Sequence, residues 1–292
     1  MVDPEAPPEY VFYHYHPSLS AAVVFIVIFT FSTIYHMYLL FRRRTWFFIP
    51  FVIGGTFECV GYAGRVISSQ ESPDWTLAPY VMQSLLLLLG PALFAASIYM
   101  ILGRIILLTD GESCSIIKAK WLTKIFVGGD ILSFLAQSTG GGLLAKATSR
   151  EDVKLGENII VAGLFIQAGF FGLFLITAGL FHYRISQFPT IRSSSTGLPW
   201  KRHLYVLYIA SLLITVRNTF RIVEYIMGSD GVLLTNEVYL YVFDAALMAI
   251  TTVLFNIWHP GSIISKRFCR GARELESQAS EHMMVSQKSP AY

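Results

Sequence analysis

The chain has 292 residues, 54% of them hydrophobic and only 14% charged, and a mean hydropathy of +0.54. That balance excludes a soluble globular protein. The formal charge of +3 is small, nothing in it points to nucleic acid, and its distribution along the chain matters more than its sum.

Residues 1–18 are acidic and Pro-rich, and the apolar run that follows is too long for a cleavable signal peptide. Apolar windows of about 20 residues then recur as seven expected spans. They are Leu19–Phe41, Trp46–Ile67, Pro79–Leu108, Trp121–Ala145, Asn158–Tyr183, His203–Met227 and Glu237–His259. The loops between them are short and polar, so residues 19–259 read as an all-α integral membrane bundle of seven transmembrane helices. Residues 260–292 form a polar tail of mixed charge, expected to be partly disordered.

Basic residues set the direction. Arg42, Arg43 and Arg44 occupy the first loop, Lys118 and Lys120 the third, and Arg184, Arg192, Lys201 and Arg202 the fifth. The tail carries Lys266, Arg267, Arg270 and Arg273, whereas the N-terminus and the second and sixth loops carry none. Only the fourth loop dissents, with Lys146, Arg150 and Lys154 beside Glu151, Asp152 and Glu157. The positive-inside rule puts the N-terminus outside and the C-terminus in the cytosol. Cys59, Cys114 and Cys269 are too far apart to hold a metal; free thiols are the plain reading, with S-palmitoylation of Cys269 as the alternative.

The spans carry polar residues at helical spacing. Glu58, Tyr62 and Arg65 stand at i, i+4 and i+7 in the second span. Arg217, Arg221 and Glu224 repeat that spacing in the sixth, and Glu237, Tyr241 and Asp244 in the seventh. The fourth holds Asp130, Ser133 and Gln137, followed by Gly140–Gly142; Gln83 lies in the third span and Gln167 in the fifth. A charge facing hydrocarbon costs about 2.5–3.5 kcal/mol even on the gentler insertion scale, so these groups must converge on the bundle interior. Glu58 falls about 18 Å along its helix, past the midplane, at 1.5 Å per residue. Arg65, Arg217, Arg221, Glu224, Glu237 and Asp244 fall in the outer half as well, and Asp130 sits deeper. The expectation is a polar cavity in the outer half holding both signs of charge. The plainer alternative is a set of salt bridges locking the helices, with Arg65 and Glu237 snorkelling to the interface. Gln83 and Gln167 read as interhelical hydrogen bonds, Gly140–Gly142 as close packing or a loose helix end, and Tyr62 and Tyr241 as either packing or cavity wall.

TFECVGY at Thr56–Tyr62 echoes TFRIVEY at Thr219–Tyr225, and YVMQ at Tyr80–Gln83 echoes YVFD at Tyr241–Asp244. The pairs suggest a parallel 3+1+3 duplication, an architecture used by transporters, with the fourth helix as linker. Chance similarity in apolar sequence explains so short a match as well.

FECVGYAGR, QSLLLLLGPALFAASIYMILGRII, KIFVGGDILSFLAQSTGGG, RNTFRIVEYIMGSDG, EVYLYVFDAALM and the closing His259–Pro260 occur in an order that resembles the fungal RTA-like family of lipid-translocating exporters. Gly90 stands where that family's pattern has Ala before the third-helix proline. The resemblance implies multi-pass proteins of the plasma or an internal membrane. They move or sense sphingoid long-chain bases and other amphiphiles and confer tolerance of toxic lipids or drugs; some members are linked to haem or porphyrin uptake. The matching polar positions are Glu58, Tyr62, Arg65, Gln83, Asp130, Gln137, Arg217, Arg221, Glu224, Glu237 and Asp244, and with Tyr241 they form the expected substrate pathway.

The expected activity is therefore translocation of an amphiphile, not catalysis, without cofactor or metal and with membrane lipids as partners. Glu58, Glu224 and Asp244 would receive an ammonium headgroup while Arg65 and Arg221 hold the empty acids ionised, and Asp130 would be an inner station or a proton-coupling acid. A receptor or sensor for an extracellular amphiphile shares the topology but lacks the usual acidic–Arg–aromatic triplet after the third span. An intramembrane hydrolase needs a cluster of metal-binding His, and the seven here are scattered.

Overall fold

The computed structural model describes residues 16–72, 75–144, 146, 149–195, 200–227, 233 and 236–261. Cys269, the tail after Gly261 and the first fifteen residues lie outside them. The described chain is a bundle of seven long helices: α1 (Leu19–Arg43), α2 (Ile49–Gln70), α3 (Leu77–Leu108), α4 (Ala119–Leu144), α5 (Arg150–Gln187), α6 (Trp200–Met227) and α7 (Glu237–Ile257). Six of them are long and apolar enough to cross a membrane. The other, α4, spans about 39 Å by its 26 residues but is diluted by Asp130, Gln137 and its glycines.

Local chemistry sets the ends. The Ser18 hydroxyl accepts from the Ala21 N–H and caps α1, and Arg44 in the left-handed region (φ 53°) closes it. Pro50 stands in the first turn of α2, where a missing N–H costs nothing. Ser149 and Asp152 form a capping box that starts α5 eight residues before the expected span. At 38 residues α5 is about 57 Å long, more than a bilayer needs, so Lys154 belongs to a helical projection and not to a loop. The dissenting charges of the fourth loop are thus explained by a helix that extends beyond the apolar layer. Asn236 caps α7 by accepting from the Val238 N–H.

Neighbours in sequence are neighbours in space from α1 to α7, and α1 packs against α7 to close the ring. α3 also touches α6 across the interior. The surface is inverted relative to a soluble protein: Phe31 is 71% exposed, and Ile34, Leu212 and Ile257 also face outward, while Arg65 and Arg217 have no exposed surface. Aromatic rings fill the end of the core near the first loop, where Phe48, Phe51 and Phe94 lie 4.5 Å apart centroid to centroid. His36 of α1 donates from Nε2 to the Thr252 carbonyl of α7 at 3.0 Å, an interhelical contact as expected for the one span histidine away from a helix end.

α4 and α5 approach closely because of glycine. A Cβ on Gly140 would lie 2.6 Å from the Gly156 carbonyl oxygen, and one on Gly163 would lie 2.8 Å from Gln137 Cγ. Gly141 and Gly142 have open space beside them instead. Gly140→Ala is therefore expected to destabilise the protein by about 1–3 kcal/mol through overpacking against backbone. Gly141→Ala should be neutral or stabilising by up to about 1 kcal/mol. Thermal unfolding in detergent, followed by size-exclusion fluorescence, checks the pair.

Candidate functional site

The charged residues on the side of the bundle where α1 and α7 begin fall into two groups. In the deeper group Asp244 of α7 is held by two arginines of α6. Arg217 Nε donates to Asp244 Oδ1 at 2.7 Å, and Arg221 Nη2 donates to Asp244 Oδ2. Arg221 also donates from Nη1 to Glu224 Oε2 at 2.9 Å, one turn along its own helix. Arg217 uses its remaining reach on the backbone, donating from Nη2 to the Leu87 carbonyl of α3 at 2.7 Å.

The Leu87 bond has a local cause. Its carbonyl would ordinarily receive the N–H of residue 91, and residue 91 is proline. Pro91 frees the acceptor, and the Arg217 guanidinium satisfies it from a neighbouring helix. Asp244 likewise depends on a local irregularity, because Tyr241–Ala245 forms a π-helical turn inside α7. The wider turn shifts the side chains after it relative to a regular helix, so Asp244 meets both arginines while Glu237 and Tyr241 face a different partner. Gln83, the expected counterpart of Asp244, sits in regular helix, so the two supposed repeats differ in backbone as well as side chain.

The second group lies toward the start of α7. Arg65 Nη2 donates to Glu237 Oε1 at 2.7 Å, and Arg65 Nε donates to the Tyr241 hydroxyl at 3.0 Å. Glu237 in turn accepts the Ser18 N–H at 2.9 and 3.0 Å, so one carboxylate joins α1, α2 and α7. Arg65 and Glu237 are accordingly bound to each other, and Arg65 is fully buried; neither snorkels. Tyr62 is aromatic packing, with Phe25 and Phe29 each 5.7 Å from its ring. Tyr241 stacks on Phe25 at 5.4 Å.

Glu58 is the exception among these acids. It faces Asp244, Arg217 and Arg221. Yet among the described residues it makes no ion pair, and its buried Oε1 accepts no hydrogen bond. The Tyr62 hydroxyl, one turn along, is also buried without a partner. Opposite Glu58 stands Gly90, where a Cβ would lie 2.6 Å from Glu58 Oε1. The absent methyl leaves the carboxylate its room.

A cavity lies apart from the charges that were expected to line one. A partly open cavity of about 300 Å³ lies among α3, α4, α5 and α6 on the same side of the bundle. Tyr80, Ser84, Leu85 and Leu88 line it from α3, Gln137, Ser138, Gly141 and Gly142 from α4, Ile160 from α5 and Tyr225 from α6, with Lys146 beside it. Of the expected pathway residues Gln137 alone is in its wall; Glu58, Arg217, Arg221, Glu224 and Asp244 are not. α3 separates the two, because Leu88 faces the cavity while Leu87 and Gly90 face the charges. Tyr225 adjoins Tyr80 and the Arg221–Glu224 pair, which brings the cavity up to the edge of the cluster.

The remaining positions form a third group at the α4–α5 seam. Gln137 Nε2 donates to Ser133 Oγ at 2.6 Å and to Gln167 Oε1 at 3.1 Å, the interhelical bond expected of Gln167. Asp130 lies one turn away, and Gln83 is buried in α3. Pro91 in mid-span was a legible sign of an orphaned carbonyl, and its consequence for Arg217 was missed. Nothing in the sequence marks the π-turn or the role of Tyr225.

Asp244→Asn would leave two buried guanidiniums without a full counter-charge, and is expected to destabilise by about 3–5 kcal/mol. Glu58→Gln removes no bond and should shift the unfolding midpoint far less. Unfolding of both variants in one detergent compares them directly.

The comparisons with known proteins follow the same regions. A family profile described as RTA1 like protein matches residues 51–267, from the first turn of α2 past the end of α7. Protein RTA1 of Saccharomyces cerevisiae is 38% identical over 273 residues, covering 85% of this chain and 84% of its own. Protoporphyrin uptake protein 1 of the same yeast is 36% identical, covering 85% and 91%. The yeast protein named Sphingoid long-chain base transporter RSB1 is 28% identical, covering 84% and 72%. No solved structure matches. A seven-helix bundle whose buried charges lie in the profile's own segments, with relatives matching over most of their length, belongs to the RTA1-like family of multi-pass membrane proteins.

Proposed function

We propose that this protein moves single-chain amphiphiles with a cationic headgroup, of the sphingoid long-chain base type, between the leaflets of the plasma membrane. The observation that carries the reading is Glu58: a buried carboxylate with no bonded partner, set among ion pairs inside a bundle whose outside is apolar. A buried acid left unbonded costs free energy, and ionisable groups within spans are functional by default. An ammonium group would satisfy it, and the Tyr62 hydroxyl beside it suits a headgroup hydroxyl. The relative named for sphingoid-base transport supports the same class.

The parts divide the work as follows. The cavity among α3–α6 admits the headgroup from the outer side, where Ser84, Gln137, Tyr80 and Tyr225 offer neutral hydrogen bonds to hydroxyls. The acyl tail stays in lipid or follows along the apolar wall of Leu85 and Leu88. Glu224, whose one ion-pair partner among the described residues is an arginine three residues away on its own helix, exchanges that arginine for the arriving ammonium. Passage to Glu58 requires α3 to shift, and α3 is weakened there because Leu87 is bonded to Arg217 in place of its own helix. Arg217 and Arg221 keep Asp244 charged and in position throughout.

Reconstitution of the purified protein in liposomes with a fluorescent sphingoid base tests this. The wild type should transfer the probe faster than protein-free vesicles. Glu58→Gln should cut transfer about tenfold or more, since a hydrogen bond to a charged group is worth about 1.5–3 kcal/mol. Full transfer by the variant would remove Glu58 from the route. Wild-type binding of the probe with no transfer would favour the sensor reading.

A further inference from the structure

Asp130 is unlike the other acids of the spans. Glu224, Asp244 and Glu237 are paired with arginine, and Glu58 faces two arginines. Asp130 is buried at the α3–α4–α5 junction, and among the described residues neither of its carboxylate oxygens has a hydrogen-bond partner of normal geometry. Tyr99 of α3 turns toward it, and the Tyr99 hydroxyl is also buried without a hydrogen bond of normal geometry. Among the described residues Tyr99 is the one titratable group facing Asp130. The surroundings are otherwise neutral: Phe170 of α5 packs on Gly129, and Phe126, Phe171 and Phe174 enclose the Tyr99 ring. A structural carboxylate in such a place would be tied to backbone or to a cation. This one is held by neither.

A line of polar groups leads from the cavity to within one helical turn of it. Gln137 is in the cavity wall. Its amide bonds Ser133 and Gln167, and the Ser133 hydroxyl donates to the Gly163 carbonyl at 2.7 Å. Ser133 is three residues from Asp130 on the same helix, about 4.5 Å of rise. Beside this line Gly140, Gly156 and Gly163 hold α4 and α5 in close contact.

We infer that Asp130 is a proton-binding site, reached from the cavity through Gln137, Ser133 and Gln167, and that one proton passes through it in each transport cycle. In the loading step a hydronium ion in the cavity gives up its proton, which is relayed to a carboxylate oxygen, leaving water behind and a neutral carboxylic acid. Unloading reverses this on the other side, with the proton returned to water. The carboxylate can only accept from the Tyr99 hydroxyl, whereas the acid can donate to it, so the hydrogen bond between α4 and α3 changes direction with the proton. Tyr99 is two turns beyond Pro91 on the helix that must move in the proposed cycle, which links the proton to the shift of α3. The physiological use of the site rests on the transport reading, but proton binding itself does not.

Two measurements on the full-length protein decide it. Infrared difference spectra of the protein in nanodiscs, recorded across the physiological pH range, should show a carboxylic-acid band in the wild type. The band should vanish in Asp130→Asn, shift in Tyr99→Phe and persist in Glu58→Gln; an unaltered band in Asp130→Asn overturns the assignment. In liposomes, an imposed pH gradient should speed wild-type transfer of the fluorescent base several-fold and have no effect on Asp130→Asn. Wild-type transfer indifferent to the gradient overturns the coupling. The infrared result holds in a preparation without transfer, so failure of the transport reading is told apart from failure of the proton site.

Discussion

Hydrocarbon offers a buried charge no partner, so an ionised group in the spans has to be answered from within the protein, and most of those here are answered from another helix. Asp244 shows how far this constraint shapes the protein. One carboxylate neutralises two arginines, and one of those arginines also closes the backbone of a third helix. The chain α7–α6–α3 is thereby joined in the bundle interior by three hydrogen-bonding groups. Glu237 does the same for α1, α2 and α7 through Arg65 and the Ser18 N–H. Packing of apolar side chains cannot specify such an arrangement, because lipid solvates leucine as well as a neighbouring helix does. Directional bonds between charges give the bundle its register.

Two backbone irregularities make those bonds possible, and each lies where the charge is. Pro91 opens an acceptor in α3 directly across from Arg217, and the π-turn of α7 carries Asp244 to a point between Arg217 and Arg221. Irregular backbone at membrane depth is tolerated where it is buried in protein; Pro91 is buried, and the π-turn buries Asp244 and Ala245 while Val242 and Phe243 face outward. The cost of breaking each ladder is offset by side-chain bonds. The same substitution of side-chain for backbone bonding leaves α3 easier to bend at Pro91 than a regular helix would be.

Against this paired background the unpaired acids stand out. Glu58 and Asp130 lie on opposite sides of α3, one beside the charge cluster and the other beside the α4–α5 seam. The cavity lies on the Asp130 side and meets the cluster at Tyr225. The proposed headgroup site and the proposed proton site are separated by one helix, weakened between them, which is the layout that alternating exposure of a substrate and a coupling ion calls for. α3 is the element on which both depend.

The fold was legible from composition alone to a large degree. Spans of about 20 apolar residues are dictated by bilayer thickness, and the seven expected segments match the seven helices apart from the early start of α5. That miss came from reading Lys154 as loop, when the Ser149 capping box makes it helix. The convergence of Glu58, Arg65, Arg217, Arg221, Glu224, Glu237 and Asp244 on the interior was also legible, because helical spacing and the cost of charge in lipid leave no other place. What the sequence could not state is which charge meets which. Partner choice depends on helix rotation and depth to within a few ångströms, and the π-turn at Tyr241–Ala245 alters the rotation of α7 with no residue to announce it. The sequence alone determined that the charges are inside; only the tertiary structure decided that most are paired, that Glu58 and Asp130 are not, and that the cavity lies beyond α3, since those follow from contacts between helices far apart in the chain.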